Sequence, residues 1–406
     1  RAAHRILSAV RRSRPDVTMW VAEKLTADPH VVPFDDVVGP DSAVKAWLRS
    51  ASETLPLHVQ KSSNSVHRSF GFVSRGIGAA LERLQPEVVH LHWMGSGTMS
   101  LREIGGLSGP VVWTLHDSWP FCGSEHHPEN AMDTRFRESY SRSSRLPGNS
   151  RVDIDAWTFR RKERLFRKPR WLVGPSSWMV DQATTASLTQ SWPATVIPNP
   201  IDTQVFAPVD QREARRQLGV DPDARLALFG GMAAAQVQGK GWDLLAEALR
   251  SQPLGGQSWE VRIFGAEAPA PQVAGVPINS IGVVDDPHTL AAWYSAADVH
   301  VVPSRVESFS QTAAEAIACG TPVVAFKVGG LTDVVANSDL GTLVEPFDVG
   351  AFAAAMQNAL ALKERTQEAG PRHAYATWRP EVVAREYLAV YEAAREEWPG
   401  REVPPA

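Results

Sequence analysis

Features that would reveal several protein classes are scarce or missing in this sequence. Cysteine occurs only twice, at Cys122 and Cys319, which is too few for a disulfide framework or a zinc site and typical of a reducing compartment. No stretch approaches the roughly 18 apolar residues of a membrane-spanning helix. The formal net charge is −4, whereas a nucleic-acid binder usually has a large basic excess. We therefore expect a cytoplasmic protein without a nucleic-acid partner.

What is present is the composition of a globular protein, with 43% hydrophobic and 21% charged residues. A chain of 406 residues exceeds what one hydrophobic core usually supports, so two domains are expected. Residues 1–7 have the pattern of an amphipathic helix and not of a signal peptide. Because α/β domains normally begin with a strand, we expect that a first strand and its loop are missing ahead of this helix.

Short β-branched segments alternate with helical patterns, which is typical of parallel sheets built from βαβ units. The predicted strands are 17–22, 87–92, 111–115, 171–173 and 195–197 in the first half, and 226–229, 260–264, 299–302, 322–326 and 342–344 in the second. In open parallel sheets, ligands bind beyond the carboxyl ends of the strands. Candidate site residues are therefore expected just after these segments.

Prolines mark the predicted domain boundaries. Pro198 and Pro200 disfavour a helix between the two halves, and a second boundary is predicted near Gly370-Pro371. We predict a helix over about 380–398 and a disordered tail over 401–406. The expected segments are an N-terminal Rossmann-like domain over 1–198, a C-terminal Rossmann-like domain over 199–378, and a closing segment over 379–406.

The strongest chemical signal lies between residues 304 and 322. A predicted strand ends at Val302, a loop carries Glu307, and a helix of small residues runs over about 310–319. The N-terminus of a helix has free N–H groups and a partial positive charge, which suits an anion. Glu315 lies among alanines, where an unpaired carboxylate would be costly to bury. We expect it to have a hydrogen-bonding partner, such as the hydroxyl pair of a ribose.

A purely structural role for Glu315 is an open alternative. Ser308 with Gln311, and Thr312 with Glu315, both match a capping box, in which the second residue closes the start of a helix. The pattern is short and frequent, so the wider sequence context has to decide between the two roles.

That wider context resembles a known family. The spacing of Glu307 and Glu315, followed by Ala-Cys-Gly-Thr-Pro-Val-Val, is similar to the retaining glycosyltransferases of family four, which have the GT-B fold. Further segments follow in the family's order, namely His90-Leu-His-Trp93, Trp113-Thr-Leu-His-Asp-Ser-Trp-Pro-Phe121, Gly174-Pro-Ser-Ser-Trp178, Ile197-Pro-Asn-Pro-Ile-Asp202 and Lys240-Gly-Trp-Asp-Leu-Leu245. The first two of these resemble the acceptor side of a bacterial polysaccharide-building branch. The resemblance covers residues 1 to about 391.

The resemblance implies an α/β protein of two Rossmann-like domains that face each other across a cleft. The first domain would bind the acceptor and the second the nucleotide sugar, and the last helix would cross back to the first domain. The implied donor-binding residues are Gly231, Lys240, Gly282, Val284, Glu307, Ser308, Phe309, Ser310 and Glu315. The implied acceptor-side residues are His92, Trp93, His116 and His126.

The resemblance also implies individual roles. Glu307 would hold hydroxyls of the donor sugar, Glu315 would hold the ribose, and the backbone amides of 308–310 would bind the diphosphate. Lys240 would stabilise the departing diphosphate, a task that a lysine and a helix N-terminus can perform without a metal ion. His116 would contact the transferred sugar. His116, Lys240 and Glu307 are thus the expected catalytic residues.

One departure and two alternatives accompany these roles. The family usually has an arginine shortly before the lysine, and the segment 232–238 contains none, so the phosphate site could be completed differently. Lys240 could instead be a solvated lysine at a helix start. His116 precedes Asp117, and such a histidine is more often a structural hydrogen-bonding residue.

Metal and cofactor motifs are not convincing. Five histidines, at positions 90, 92, 116, 126 and 127, could suggest a metal site. The alternation of a strand, however, places His90 and His92 on the same face without a carboxylate partner at ligand spacing. Asp153-Ile-Asp155 and Asp221-Pro-Asp223 resemble a metal-binding D-x-D but follow no predicted strand. No Gly-x-Gly-x-x-Gly opens a helix, which argues against a dehydrogenase. We expect no metal and no cofactor, since the nucleotide sugar would be a substrate.

A basic stretch extends from Arg160 to Arg170, with seven positive charges and one negative charge. It could bind anionic lipid headgroups at the inner membrane face. An ordinary solvated helix whose aromatic residues face the core explains the pattern equally well.

Together with the resemblance, the sequence thus predicts a metal-independent glycosyltransferase that moves a sugar from a nucleoside diphosphate to a hydroxyl of a glycan, lipid-linked saccharide or small glycoside. Retention of the anomeric configuration is implied by the resemblance only. A nucleotide-sugar epimerase of the same fold is one alternative. A non-catalytic protein that binds a nucleotide is another. The donor base, the donor sugar and the acceptor are not readable from the residues.

Overall fold

The computed structural model describes residues 2–61, 66–128, 133–145, 150–251 and 259–398. The predicted disordered tail at 401–406 lies outside these residues. Within the described ranges, no helix combines the length and the apolar character needed to cross a membrane.

The chain divides into two compact units. The N-terminal unit comprises residues 10–197 and 384–406, and the C-terminal unit comprises residues 198–383 together with residues 1–9. Residues 1–9 were expected in the N-terminal domain, but they belong to the C-terminal unit. The reason lies in α1 (Ala2–Arg11), whose Arg5 bonds to side chains of the C-terminal unit.

The strands of the N-terminal unit are β1 (Met19–Val21), β2 (Val31–Pro33), β3 (Gln60–Lys61), β4 (Val89–Leu91), β5 (Val111–Thr114), β6 (Ser150–Arg151), β7 (Trp171–Gly174) and β8 (Ala194–Val196). Its helices are α2 (Phe34–Val38), α3 (Ala43–Val59), α4 (Ile77–Leu84), α5 (Leu101–Gly106), α6 (Ile154–Leu165) and α7 (Ser177–Thr185). A parallel sheet has the order β4-β5-β7-β8. All four residues of β5 are buried, as expected for a parallel strand that is covered on both faces.

The strands of the C-terminal unit are β9 (Arg225–Gly230), β10 (Trp259–Phe264), β11 (Gln272–Val273), β12 (Val276–Gly282), β13 (Val299–Val302), β14 (Val323–Phe326) and β15 (Gly341–Val344). Its helices are α8 (Gln211–Leu218), α9 (Trp242–Ser251), α10 (Pro287–Ala296), α11 (Gln311–Ala318), α12 (Leu331–Val334), α13 (Val349–Asn358) and α14 (Lys363–Thr377). The next helix, α15 (Pro380–Glu396), continues into the N-terminal unit.

The sheet of the C-terminal unit has seven strands in the order β11-β12-β10-β9-β13-β14-β15, parallel except for β11. Along β9, Leu226 and Leu228 belong to one apolar cluster, whereas Ala227 and Phe229 belong to another. Because successive side chains of a strand point to opposite faces, the sheet has a hydrophobic core on each side.

The predicted secondary structure is largely confirmed, since each of the ten predicted strands overlaps an observed one. The strand β12 was not predicted, because Pro277, Asn279 and Ser280 interrupt its apolar pattern. The predicted boundary at Gly370-Pro371 is wrong, because α14 runs through it. A Cβ atom at Gly370 would lie 2.2 Å from the carbonyl oxygen of Ile317, so the glycine permits close helix packing there.

Candidate active site

The carboxyl ends of four neighbouring parallel strands form one edge of the C-terminal sheet. These strands are β12, β10, β9 and β13, and they end at Gly282, Phe264, Gly230 and Val302. The loops that follow them carry most of the predicted donor-binding residues. This edge is where open parallel sheets bind their ligands.

Glu307 and Lys240 meet at this edge although they lie 67 positions apart. The Lys240 ammonium donates to Glu307 Oε1 at 2.7 Å, and the Ser304 hydroxyl donates to the same oxygen at 2.9 Å. The Glu307 side chain is 12% exposed and that of Lys240 is 35% exposed. The pair is thus held in place while the cation still reaches solvent.

Close backbone contacts fix the two loops that carry this pair. A Cβ atom at Gly241 would lie 1.9 Å from the carbonyl oxygen of Pro303, and one at Gly329 would lie 2.1 Å from that of Glu307. Both glycines also have positive φ angles, of 75° and 53°. The amide of Gly330 donates to the Glu307 carbonyl at 2.8 Å. Only glycine allows the chains to approach so closely.

The helix α11 begins without a capping box. Its N-cap residue is Ser310, which has a left-handed conformation (φ 75°) and makes no side-chain cap. Thr312 lies inside the helix, so neither predicted capping pattern closes its start. The first amides of α11 have no acceptor within the helix, and such a terminus can bind an anion. A strained non-glycine residue at this place is typical of functional sites.

Glu315 has two side-chain partners within the C-terminal unit and does not cap α11. Its carboxylate is buried and accepts hydrogen bonds from Arg5 Nη2 at 2.6 Å and from the Tyr294 hydroxyl at 3.0 Å. Arg5 Nη1 also donates to Gln311 Oε1 at 2.7 Å. The sequence did not point to Arg5 or Tyr294, because nothing in a local pattern links residue 5 to residue 315.

The remaining predicted donor-binding residues lie around the same edge. The amide of Gly231 donates to the carbonyl oxygen of Phe264 at 3.2 Å. The amide of Gly265 donates to the carbonyl oxygen of Gly282 at 2.8 Å. Val284 is half-buried and packs against the core. Phe309 is buried with its ring edge-to-face against Trp378, at 6.1 Å between centroids.

In the N-terminal unit, three histidines form a stack at the carboxyl ends of β4 and β5. His92 Nδ1 lies 3.0 Å from His116 Nε2. The rings of His90 and His92 have centroids 4.1 Å apart. His90 is held by hydrogen bonds of 2.7 Å to Tyr391 and Thr114.

These histidines are neutral near pH 7. Burial lowers the pKa of His90 to about 3 and that of His116 to about 4, and it lowers the pKa of His92 well below the usual value. A neutral imidazole has one donor and one acceptor nitrogen. The stack can therefore hydrogen-bond to neutral hydroxyl groups.

His126 and Trp93 form a separate contact in the same unit. His126 Nδ1 lies 2.5 Å from Asp117 Oδ2, and its Nε2 lies 2.8 Å from the Ser69 hydroxyl. The Trp93 indole N–H points to His126 at 3.1 Å, while its side chain remains 42% exposed. Burial favours the neutral form of Asp117, but the hydrogen bond and charge of His126, the charge of His127 and the Trp119 amide together outweigh it and lower the pKa of that carboxyl.

The carboxylates of the D-x-D-like segment at 153–155 serve the structure. Asp153 caps α6 through the amide of Ala156 at 3.0 Å and pairs with Arg135 at 2.6 Å. Asp155 is buried and pairs with Arg68 at 3.2 Å. Within the described residues, no group of three or more histidine, cysteine or acidic side chains could hold a metal ion.

Two family models match the chain. The model described as Glycosyltransferase Family 4 matches residues 28–205, and the one described as Glycosyl transferases group 1 matches residues 224–361. These ranges cover much of the N-terminal unit and the strand-rich part of the C-terminal unit.

Curated relatives carry a glycosyltransferase name. The D-inositol 3-phosphate glycosyltransferase of Kribbella flavida is 38% identical over 331 residues, which is 76% of this chain and 72% of that protein. The protein of the same name from Geodermatophilus obscurus is 39% identical over 219 residues, which is 50% of this chain. For that protein and several others of this name, the chain spans about half of their length (48% for Geodermatophilus).

Solved structures share the fold. Sucrose-phosphate synthase from Thermosynechococcus elongatus aligns with a TM-score of 0.63 at 21% identity, covering 93% of this chain and 87% of that one. The Anabaena protein HepE, solved with UDP and glucose, aligns with a TM-score of 0.57 at 16% identity, covering 78% and 81%. Taken with the family models and the Kribbella relative, this places the chain in the family 4 (group 1) glycosyltransferases, with an α/β fold of the GT-B type.

Proposed function

We propose that this chain moves a sugar from a nucleoside diphosphate to a hydroxyl of a glycan, lipid-linked saccharide or small glycoside, with retention of the anomeric configuration. The observation that carries the proposal is the Lys240–Glu307 pair at the carboxyl edge of the C-terminal sheet. The α11 N-terminus opens at the loop that carries Glu307. Retention is supported by the family resemblance alone.

The diphosphate would bind between Lys240 and the first turn of α11. When the anomeric C–O bond breaks, the electron pair leaves with the diphosphate, whose negative charge increases. An ammonium and several backbone N–H groups aimed at that position stabilise the transition state more than the ground state. Glu307 would orient the ammonium and accept hydrogen bonds from the sugar hydroxyls.

The ribose would bind at Glu315. The carboxylate already has Arg5 and Tyr294 as partners, so ribose hydroxyls would have to share or replace the Arg5 contact. Since Arg5 is 21% exposed, its side chain has room to move when a nucleotide binds. The UDP complex of HepE supports a nucleoside diphosphate as the first ligand to test.

The histidine stack would serve the sugars as a neutral group. Because His116 is uncharged near pH 7, it would contact a hydroxyl or carbonyl group of the transferred sugar and not provide a positive charge. His92, Trp93 and His126 would lie on the acceptor side. Because of the name of the Kribbella relative, D-inositol 3-phosphate, a cyclitol phosphate outside the three acceptor classes proposed above, should be tested beside them.

The proposal is tested by incubating the protein with a panel of nucleoside diphosphate sugars, with and without acceptors. Mass spectrometry of the products and proton NMR of the new linkage are the measurements. We expect a glycoside, with the donor's anomeric configuration, only when an acceptor is present. An isomerised donor without acceptor would indicate an epimerase, and nucleotide binding without turnover would indicate a non-catalytic protein.

A further inference from the structure

One helix of the N-terminal unit turns its apolar side away from the protein. The helix is α3, and it contains no buried residue. Five apolar residues recur along it at helical spacing and share one side. They are Val44, Trp47, Leu48, Leu55 and Val59, with exposed fractions of 67%, 65%, 46%, 62% and 43%. We call these five side chains the α3 face.

The opposite side of α3 contacts the protein through Glu53, although Leu57 on that side is also 46% exposed. Glu53 follows Val44 by nine residues, or about two and a half helical turns, so the two side chains lie on opposite sides of the helix. Its carboxylate accepts hydrogen bonds from the amides of Phe70 at 2.9 Å and Gly71 at 3.0 Å. A surface helix normally buries its apolar side and exposes its polar side. This reversed orientation is typical of an interaction surface.

A second exposed apolar patch combines Phe72 with Trp157 of α6. Arg161 of α6 donates to the carbonyls of Phe70 at 2.8 Å and Gly71 at 3.3 Å, the same residues whose amides bind Glu53. The Arg161 guanidinium lies 4.3 Å from the ring of Phe72 and 4.7 Å from that of Trp157. Both rings are partly exposed, by 37% and 40%. One short segment thus connects the two helices.

The basic stretch at 160–170 is only partly a surface feature. Lys162 and Arg170 are buried and donate to backbone carbonyls, and Arg161 holds the segment just described. Four basic residues remain exposed, with one exposed acidic residue among them. They are Arg160, Arg164, Arg167 and Lys168, and the acidic residue is Glu163. The exposed part of this stretch is therefore positively charged.

We propose that the α3 face and the exposed basic residues between Arg160 and Lys168 form one docking surface for a bilayer that contains anionic lipids. Apolar side chains of such a helix enter the boundary between headgroups and acyl chains, where tryptophan is favoured. The neighbouring arginines and lysine attract the lipid phosphates. A symmetric pairing of two copies through the same surface would bring like charges together, which is why we assign a lipid surface.

Vesicle sedimentation of the full chain tests the proposal. The probes are vesicles of phosphatidylcholine alone and of phosphatidylcholine mixed with phosphatidylglycerol. We expect binding to the mixed vesicles that weakens as salt is added. The double variant Trp47→Ser/Leu55→Ser should bind about tenfold more weakly or worse, because each large apolar side chain contributes strongly to insertion. Arg160→Gln/Arg164→Gln should lose much of the preference for phosphatidylglycerol.

Matched controls separate the surface from general effects. Leu25→Ser removes an apolar side chain that is 85% exposed elsewhere in the same unit, and Arg250→Gln removes an exposed arginine of the C-terminal unit. Both should bind like the unchanged protein. Circular dichroism should show that all variants fold, since every altered side chain is exposed or half-exposed.

Three results would overturn the proposal. The unchanged chain could fail to bind the mixed vesicles, or the Trp47→Ser/Leu55→Ser variant could bind them equally well. The third is a dimer of the unchanged protein, seen by light scattering without lipid, that this double variant converts to a monomer. In that case the α3 face joins two copies of the chain.

Discussion

In the C-terminal unit the predicted site contains charged side chains in pairs, whereas in the N-terminal unit it contains neutral rings in a stack. Lys240 pairs with Glu307, and Arg5 with Glu315, and both cations are partly exposed. His90, His92 and His116 are half-buried, and desolvation lowers their pKa values. Both groups lie near the carboxyl ends of parallel strands, so topology alone does not explain the difference.

The difference follows from solvent access and partners. A cation that loses its hydration on burial is stable only when a carboxylate compensates for that loss. The carboxylate next to His116 in sequence is Asp117, and it is hydrogen-bonded to His126. The Lys240 ammonium, in contrast, reaches solvent and also pairs with Glu307. The C-terminal site therefore suits a charged diphosphate, and the histidine stack suits neutral hydroxyls. Five measurements can break or sharpen this comparison.

The largest effect is expected for Lys240→Ala. Loss of the ammonium removes the charge that would face the departing diphosphate, so kcat should fall by about 100-fold or more. Steady-state turnover with the donor found above is the measurement. Lys327→Ala is the matched control, because this exposed lysine lies 3.6 Å from Glu345 in the same unit. Near-normal turnover of Lys240→Ala would remove the residue from the site.

Glu307→Gln should mainly lower the rate. The amide cannot pair with Lys240 as a carboxylate does, and it holds the sugar less well as positive charge develops, so kcat should fall by roughly 10- to 100-fold. Calorimetry should show UDP binding within a few-fold of the unchanged protein. If instead KM rises and kcat is unaffected, Glu307 only binds the ground state.

Glu315→Gln should mainly weaken nucleotide binding. A ribose contact exists before and during the reaction and so contributes uniform binding, and its loss should raise the Kd of UDP by about tenfold. The companion Arg5→Gln breaks the same ion pair but leaves the carboxylate for the ribose, so its effect should be smaller. Equal losses in both variants would make Glu315 a structural partner of Arg5.

The histidine stack predicts a loss of stability in mild acid. The folded pKa values, about 3 for His90 and about 4 for His116, lie below the unfolded value of about 6.5. The unfolded chain therefore binds protons first, so this stability is present above pH 6.5 and is lost as pH falls toward 4 and 3. Urea unfolding at stepped pH measures it. His90→Gln should flatten the slope, and an unchanged slope would show that the stack does not stay neutral.

The smallest effect is expected from chelation. If Lys240 and the α11 N-terminus neutralise the diphosphate, excess EDTA should leave turnover unchanged. Dialysed protein assayed with EDTA, and then with added magnesium or manganese, is the measurement. Loss of activity that either metal restores would mean that the positive charge at the diphosphate comes from an ion.

Much of the fold and part of the site could be predicted from local patterns. The ten strands are short β-branched segments that are recognisable one by one, and Glu307 and Lys240 follow such segments. β12 could not be predicted, because polar residues and a proline interrupt it. The break assigned to Gly370-Pro371 was wrong, because the glycine serves close packing on Ile317.

The sequence by itself determined the alternation of strands and helices, the two-unit organisation and the Glu307–Glu315 segment, because each depends on residues close together in the chain. Only the tertiary structure decided that Arg5 pairs with Glu315 across 310 positions. It also decided that Lys162 and Arg170 are buried while four neighbouring cations are exposed, and that α3 turns its apolar side outward. Burial and pairing depend on what the rest of the chain places around a side chain, and a local pattern does not contain that information.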